Sequence, residues 1–213
     1  MKQLRYILGM LGFVLMGAMI SCSEVDEDSI MDKWPELNDA VCDSLLVEAG
    51  SNLFSLASDT TKVDAMPLGK LFGIETWSST TKKKEYVFCI KLTATDGKHP
   101  IYNDRISAYY RGSYILGTEF DGNFEGYVAT DTDFDGTKKL PAIYDTPATF
   151  TIVSTANMWL INGWIAALQY MREGERWLLF VPCRSGYGVK SSSSTILDNS
   201  TLFFDIILDK ILD

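Results

Sequence analysis

The chain has 213 residues, with 28 acidic against 19 basic side chains and a net charge of −9. That balance excludes a surface built to neutralise phosphates, so no nucleic-acid partner is expected, and it disfavours adhesion to anionic lipid. Apolar residues make up 46% of the chain, enough for one packed core, and the length suits a single domain with an extension.

Lys2 and Arg5 form a short positive start, and Tyr6 to Ile20 carries no charge. This is long enough for the apolar region of a signal peptide and short for a membrane span. It closes on Ala18-Met19-Ile20-Ser21-Cys22, which resembles a lipobox, where small residues before a cysteine admit a signal peptidase. Residues 1–21 are therefore expected to be a lipoprotein signal peptide, with lipid on Cys22 holding the mature chain to a membrane. The expected location is the cell envelope, facing the periplasm or on the outer-membrane surface. Without residues 1–21 the chain has seventeen basic and 28 acidic side chains, net −11. Residues 22–33 are acidic and read as a solvated tether; a similar acidic run resembles a surface-export signal in some double-membrane bacteria.

Residues 34–76 are expected to form a helical extension. From Pro35 to Ala57 the residues Leu37, Val41, Leu45, Leu46, Ala49, Leu53 and Phe54 recur at helical spacing, with Pro35 in the first turn and Gly50 as a break or kink. Such a stripe needs a partner. It is a cap on the main domain, an arm for a homodimer, or a clamp on unfolded chains.

Residues 77–213 are expected to form the main domain. Glu85–Ala94 alternates as a strand, and Asp96-Gly97 marks a turn. Arg105–Tyr110 reads as a second strand, stopped by Gly112, and Thr149–Ser154 as a third. Ile161–Met171 has helical spacing and ends at Gly174. Arg176–Val181 and Thr201–Leu208 complete the strands, with a serine run at 191–194 as a loop. The expected class is α+β: an antiparallel five- to six-stranded sheet wrapped around one short helix.

Conventional catalytic groups are scarce. His99, the single histidine, sits between Lys98 and Pro100 and reads as a surface residue. Beyond Cys22 there are Cys42, Cys89 and Cys183, an odd count without metal spacing. One disulfide is allowed, and buried thiols are the favoured reading. Asp131-Thr-Asp133-Phe-Asp135-Gly136 matches half of a calcium loop, but its twelfth position is Ala142 where a glutamate is needed, so an acidic surface loop is favoured. Neither a metal nor a cofactor is expected.

Six segments, in order, carry a resemblance. They are Tyr109-Tyr110-Arg111-Gly112, Gly117-Thr118-Glu119-Phe120-Asp121, Pro147-Ala148-Thr149-Phe150, Leu160-Ile161-Asn162-Gly163-Trp164, Val181-Pro182 with Gly186-Tyr187-Gly188, and Thr201-Leu202-Phe203-Phe204-Asp205-Ile206. From about Glu85 to Asp213 the chain resembles the FKBP-type peptidyl-prolyl isomerases. The resemblance implies an apolar cup with Trp164 as its floor. Tyr110, Phe120, Asp121, Tyr187 and Phe204 would be its catalytic set, and Phe150, Leu160, Ile161, Trp164 and Ile196 would bind substrate. The Tyr187 hydroxyl would donate to a ligand carbonyl, the Ile161 backbone amide would offer another donor, and proline-containing polypeptides would be the partners. Departures are Gly122 in place of a small hydroxyl residue, a long 123–146 loop expected to border the cup, Trp159 in place of a polar residue, and serines for prolines over Val189–Leu197. Two functions follow: an isomerase for folding exported proteins, or a non-catalytic peptide-binding or assembly lipoprotein on the same fold.

Overall fold

The computed structural model describes residues 27–55, 60–76, 84–155 and 158–212. The expected signal peptide, Cys22 and the start of the acidic tether lie outside the described residues. No helix among the described residues is long and apolar enough to cross a membrane.

The described residues open with α1 (Glu27–Asp32) and α2 (Trp34–Ala49). Pro35 fits the first turn of α2, and Trp34, Asn38, Val41, Leu45 and Ala49 form its buried face. Gly50, at φ +55°, terminates the helix as its N–H reaches back to the Leu46 carbonyl (3.2 Å). The stripe therefore stops there. Leu53 and Phe54, expected on the same helix, form the short strand β1 (Leu53–Phe54). The buried face of α2 packs on the chain's own sheet and joins the common core. The Trp34 indole donates to Ser200 Oγ (3.1 Å), and Asn38 Oδ1 accepts from the Thr201 N–H (2.7 Å).

The remaining elements are α3 (Thr60–Asp64), β2 (Leu71–Thr76), β3 (Glu85–Lys91), β4 (Arg105–Tyr114), β5 (Glu119–Gly122), β6 (Ala148–Thr151), the hairpin β7 (Ser154–Thr155) and β8 (Met158–Trp159), α4 (Asn162–Leu168), β9 (Arg176–Val181) and β10 (Leu202–Leu212). The main sheet runs β1-β2-β3-β9-β10-β4-β5, with β6 also on β4. Among the described residues it has eight strands where five or six were expected, and β1–β2 is a parallel pair in a sheet expected to be antiparallel throughout. The additional strands β1 and β2 come from the stretch expected to be helical, and β2 pairs with β3 from Leu71↔Ile90 to Thr76↔Glu85.

Registers connect Phe72, Cys89, Leu179, Phe204 and Gly112 in one row across five strands, so these share a face. This face receives α4. Neighbouring residues point the other way. On that second face lie Phe203, Asp205, Phe180 and Arg176, and the 123–146 loop covers them. Phe134 packs on Phe203, and the Tyr127 ring lies 4.6 Å from the Arg176 guanidinium. Arg176 donates to Asp205 and to the Lys138 carbonyl (2.6 Å), while the Tyr127 N–H donates to Asp205 Oδ2 (2.7 Å). The loop expected to border the cup thus packs on the opposite face. Its acids face local donors: Asp131 binds Lys139 and the Val128 N–H, and Asp133 binds Lys138. No cluster of three metal-ligating residues exists among the described residues.

His99 is not a free surface residue. Its Nδ1 lies 3.1 Å from the Met171 carbonyl and its Nε2 3.2 Å from Asp64, which also holds Arg172 (2.6 Å). Cys42, Cys89 and Cys183 are free thiols.

The Arg176–Asp205 pair is fully enclosed, so removing one member strands a charge. Arg176→Met is expected to cost about 3–5 kcal/mol in denaturant unfolding, and Arg176→Met with Asp205→Leu is expected to recover most of that loss.

Candidate active site

The helix α4 is short, and six of its seven residues are buried. Ile161, extended at φ −67° and ψ 148°, caps its start and places the next turn against the sheet. Gly163 is required there, because a Cβ would fall 2.5 Å from Val181 Cγ1 on β9. This close approach puts Trp164 at the centre of the concave face, only 3% exposed. Its indole meets three rings edge-on: Tyr110 of β4 at 5.4 Å, Phe150 of β6 at 5.3 Å and Phe204 of β10 at 5.2 Å. Its N–H has no hydrogen-bond partner among the described residues.

Phe120 of β5 closes the ring wall, 5.6 Å from Phe204. Both rings lie over Gly112, where a Cβ would be 2.7 Å from Phe120 and 3.0 Å from Phe204. The strand therefore passes under two aromatic rings only because it carries no side chain at that point. At the rim the Tyr110 hydroxyl donates to Asp121 Oδ2 (2.9 Å), and Asp121 Oδ1 accepts from the Gly122 N–H (2.8 Å). Burial pushes the Tyr110 phenol up, and its bond to the Asp121 carboxylate pushes it further. Burial likewise raises the Tyr187 phenol, with the charge of Asp121 adding to it. Both phenols are therefore neutral donors well past neutral pH.

Tyr110, Phe120, Asp121, Phe150, Leu160, Ile161, Trp164, Tyr187 and Phe204 line a cup that opens to solvent. Nine of the ten residues expected at the site meet there. Ile196 does not line the cup; it is buried in the core beside a loop held by Tyr114. The Tyr114 hydroxyl donates to the Thr195 carbonyl (3.3 Å) and accepts from the Leu197 N–H (3.1 Å), and its ring lies against Phe120 at 5.2 Å. Sequence reading missed Tyr114 by ending the strand at Gly112. The alternation 110, 112, 114 continues β4 and puts Tyr114 on the same face.

Among the described residues the lining holds no serine, cysteine, histidine or lysine. Such a site offers no serine, cysteine or lysine nucleophile, and its carboxylate, Asp121, already accepts from Tyr110 and Gly122. It can desolvate an apolar ring against Trp164 and donate hydrogen bonds from its mouth.

A family model described as FKBP-type peptidyl-prolyl cis-trans isomerase matches residues 97–209. The chain is 30% identical over 117 residues to peptidyl-prolyl cis-trans isomerase Mip of Coxiella burnetii, covering 55% of this chain and 41% of that protein. It is 33% identical over 124 residues to the macrophage infectivity potentiator of Trypanosoma cruzi, covering 58% and 52%. It is also 33% identical over 117 residues to the outer membrane protein MIP of Legionella longbeachae, covering 55% and 40%. The chain thus spans about half of these relatives' length or less.

The raised phenols have a consequence for stability. A tyrosine whose folded pKa exceeds its unfolded value of about 10 stabilises the fold fully below that pH and loses the contribution as pH climbs through the folded value. Urea unfolding at about pH 8 and about pH 11 is expected to show an alkaline loss of stability that shrinks in Tyr110→Phe/Tyr187→Phe.

Proposed function

Because the chain belongs to the FKBP-type peptidyl-prolyl cis-trans isomerase family, we propose that its cup turns over X-Pro peptide bonds and thereby speeds the folding of exported proteins in the cell envelope. The observation that carries this reading is the convergence of seven apolar and aromatic side chains, Tyr187 and Asp121 around one cavity with Trp164 as its floor.

The chemistry asks for no covalent step. An X-Pro bond rotates slowly because amide resonance is lost in the twisted state, and uncatalysed exchange takes tens of seconds or longer. The planar amide is strongly polar, and the twisted one is less so. A cup that strips water from the prolyl ring disfavours the planar form relative to the twisted one. The Tyr187 hydroxyl and the Ile161 N–H then act as donors to the rotating carbonyl. Donation that fits only the twisted geometry lowers the barrier by differential binding, at about 1.4 kcal/mol for each factor of ten.

Lipid on Cys22 would hold the domain at a membrane, with the acidic run after it as a spacer. The signal-like start supports this, as does the envelope location in the name of the Legionella relative. The second reading, a peptide-binding module without turnover, is favoured by one observation. The 189–197 loop is rich in serine, and its Ile196 is buried without lining the cup.

A proline-isomerisation assay on residues 23–213, with peptides varying the residue before proline, separates the two. Acceleration that falls at least tenfold in Tyr187→Ala and Asp121→Ala is the expected result. A folded chain that binds the peptides without accelerating any of them leaves the binding-module reading standing instead. In cells, Cys22→Ser is expected to move the chain from the membrane to the soluble fraction.

A further inference from the structure

One edge of β4 is covered along its length by β10, from Arg105↔Leu212 to Tyr114↔Leu202. The other edge is divided. β6 pairs with Arg105–Ala108 and β5 with Arg111–Ser113, and no strand among the described residues pairs with Tyr109 and Tyr110 on that side. In an antiparallel ladder alternate residues turn both main-chain groups to the same edge. Ala108, Tyr110 and Gly112 address this one, so the gap would leave Tyr110 with an unpaired N–H and C=O beside the cup.

A single residue fills the gap. The Asn123 N–H donates to the Tyr110 carbonyl (2.9 Å). Asn123 Oδ1 accepts from the Tyr110 N–H (2.8 Å), and Asn123 Nδ2 donates to the Ala108 carbonyl (3.1 Å). A carboxamide carries the same donor and acceptor as a peptide group, so this side chain stands in for the missing rung. Gly122 permits the approach: a Cβ there would lie 3.0 Å from the Tyr110 carbonyl oxygen and 3.2 Å from Arg111 Cα. A glycine directly after Phe120-Asp121 is thus the partner of the asparagine that follows it.

We propose that Asn123 is a positioning residue of the cup, which fixes the Tyr110 main chain and so sets the Tyr110 hydroxyl on Asp121 and its ring on Trp164 and Phe150. Asn123 does not line the cup and acts only through Tyr110. The proposal rests on the isomerase reading for its effect on rate, while its effect on Tyr110 is independent of turnover.

The test uses the full chain with Asn123→Ala, Asn123→Asp and, as a second route to the same displacement, Gly122→Ala. Asparagine and aspartate have the same shape, but the carboxylate has no N–H for the Ala108 carbonyl. Two readouts are taken on the folded fraction: isomerase kcat/KM, and the alkaline ultraviolet titration of Tyr110, assigned by its loss in Tyr110→Phe. The expected result is a loss of about tenfold in kcat/KM, the scale of a misplaced catalytic geometry, together with a fall of the Tyr110 midpoint toward that of an ordinary tyrosine. Variants that lower the melting temperature while leaving both readouts at wild-type values overturn the proposal. If wild type shows no turnover, the isomerase reading fails and the Tyr110 titration alone decides the role of Asn123. If the Asn123 variants do not fold, Gly122→Ala gives the same two readouts.

Discussion

Much of this molecule depends on the indole of Trp164 lying edge-on against three rings from three different strands. Edge-to-face pairs of this kind contribute about 0.5–1.5 kcal/mol each beyond the area they bury. They also fix geometry, since Tyr110, Phe150 and Phe204 can meet one indole only if β4, β6 and β10 curve around α4. Two glycines make this possible. Gly163 lets the helix touch β9, and Gly112 lets Phe120 and Phe204 stack over β4. The cavity is the space left on the open side of that indole.

The two faces of the sheet do different jobs. The concave face keeps its cup open, while the second face is sealed by the chain's own 123–146 segment. That seal combines apolar contact, Phe134 on Phe203, with an enclosed ion pair, Arg176–Asp205, whose remaining donors and acceptors meet Lys138 and Tyr127. Enclosed charges are tolerated because every group has a partner. At one end α2 covers the start of β10 through Trp34 and Asn38, so most of its apolar stripe is used within the chain. Val47 remains outside that contact, at 78% exposure.

Local periodicity made much of this legible. Arg176–Val181 reads as a strand to the residue, and the helix around Trp164 follows from the spacing of Ile161, Ile165 and Leu168. Cup residues were legible because the motifs place them at strand ends and at the helix start. What escaped depends on partners far away in sequence. β1 has two residues and exists only because β2 offers an edge. The 123–146 loop carries no periodic signal; its place is set by Asp205, Arg176 and Phe203, tens of residues distant. Ile196 was misplaced for a similar reason, since the Tyr114 hydroxyl holds residues 195–197 and no local pattern announces that bond. His99 is held between Asp64 and Met171, which only the folded chain brings together.

The central claim is that X-Pro rotation takes place on the face of Trp164. The most direct measurement is exchange NMR on a proline peptide with a small amount of the chain, following the Trp164 indole N–H in the same titration. Cis–trans exchange peaks are expected to appear together with a shift of that indole signal, both with the same dependence on peptide concentration. Exchange without any change at Trp164, or a shifted indole with no exchange, would contradict the claim.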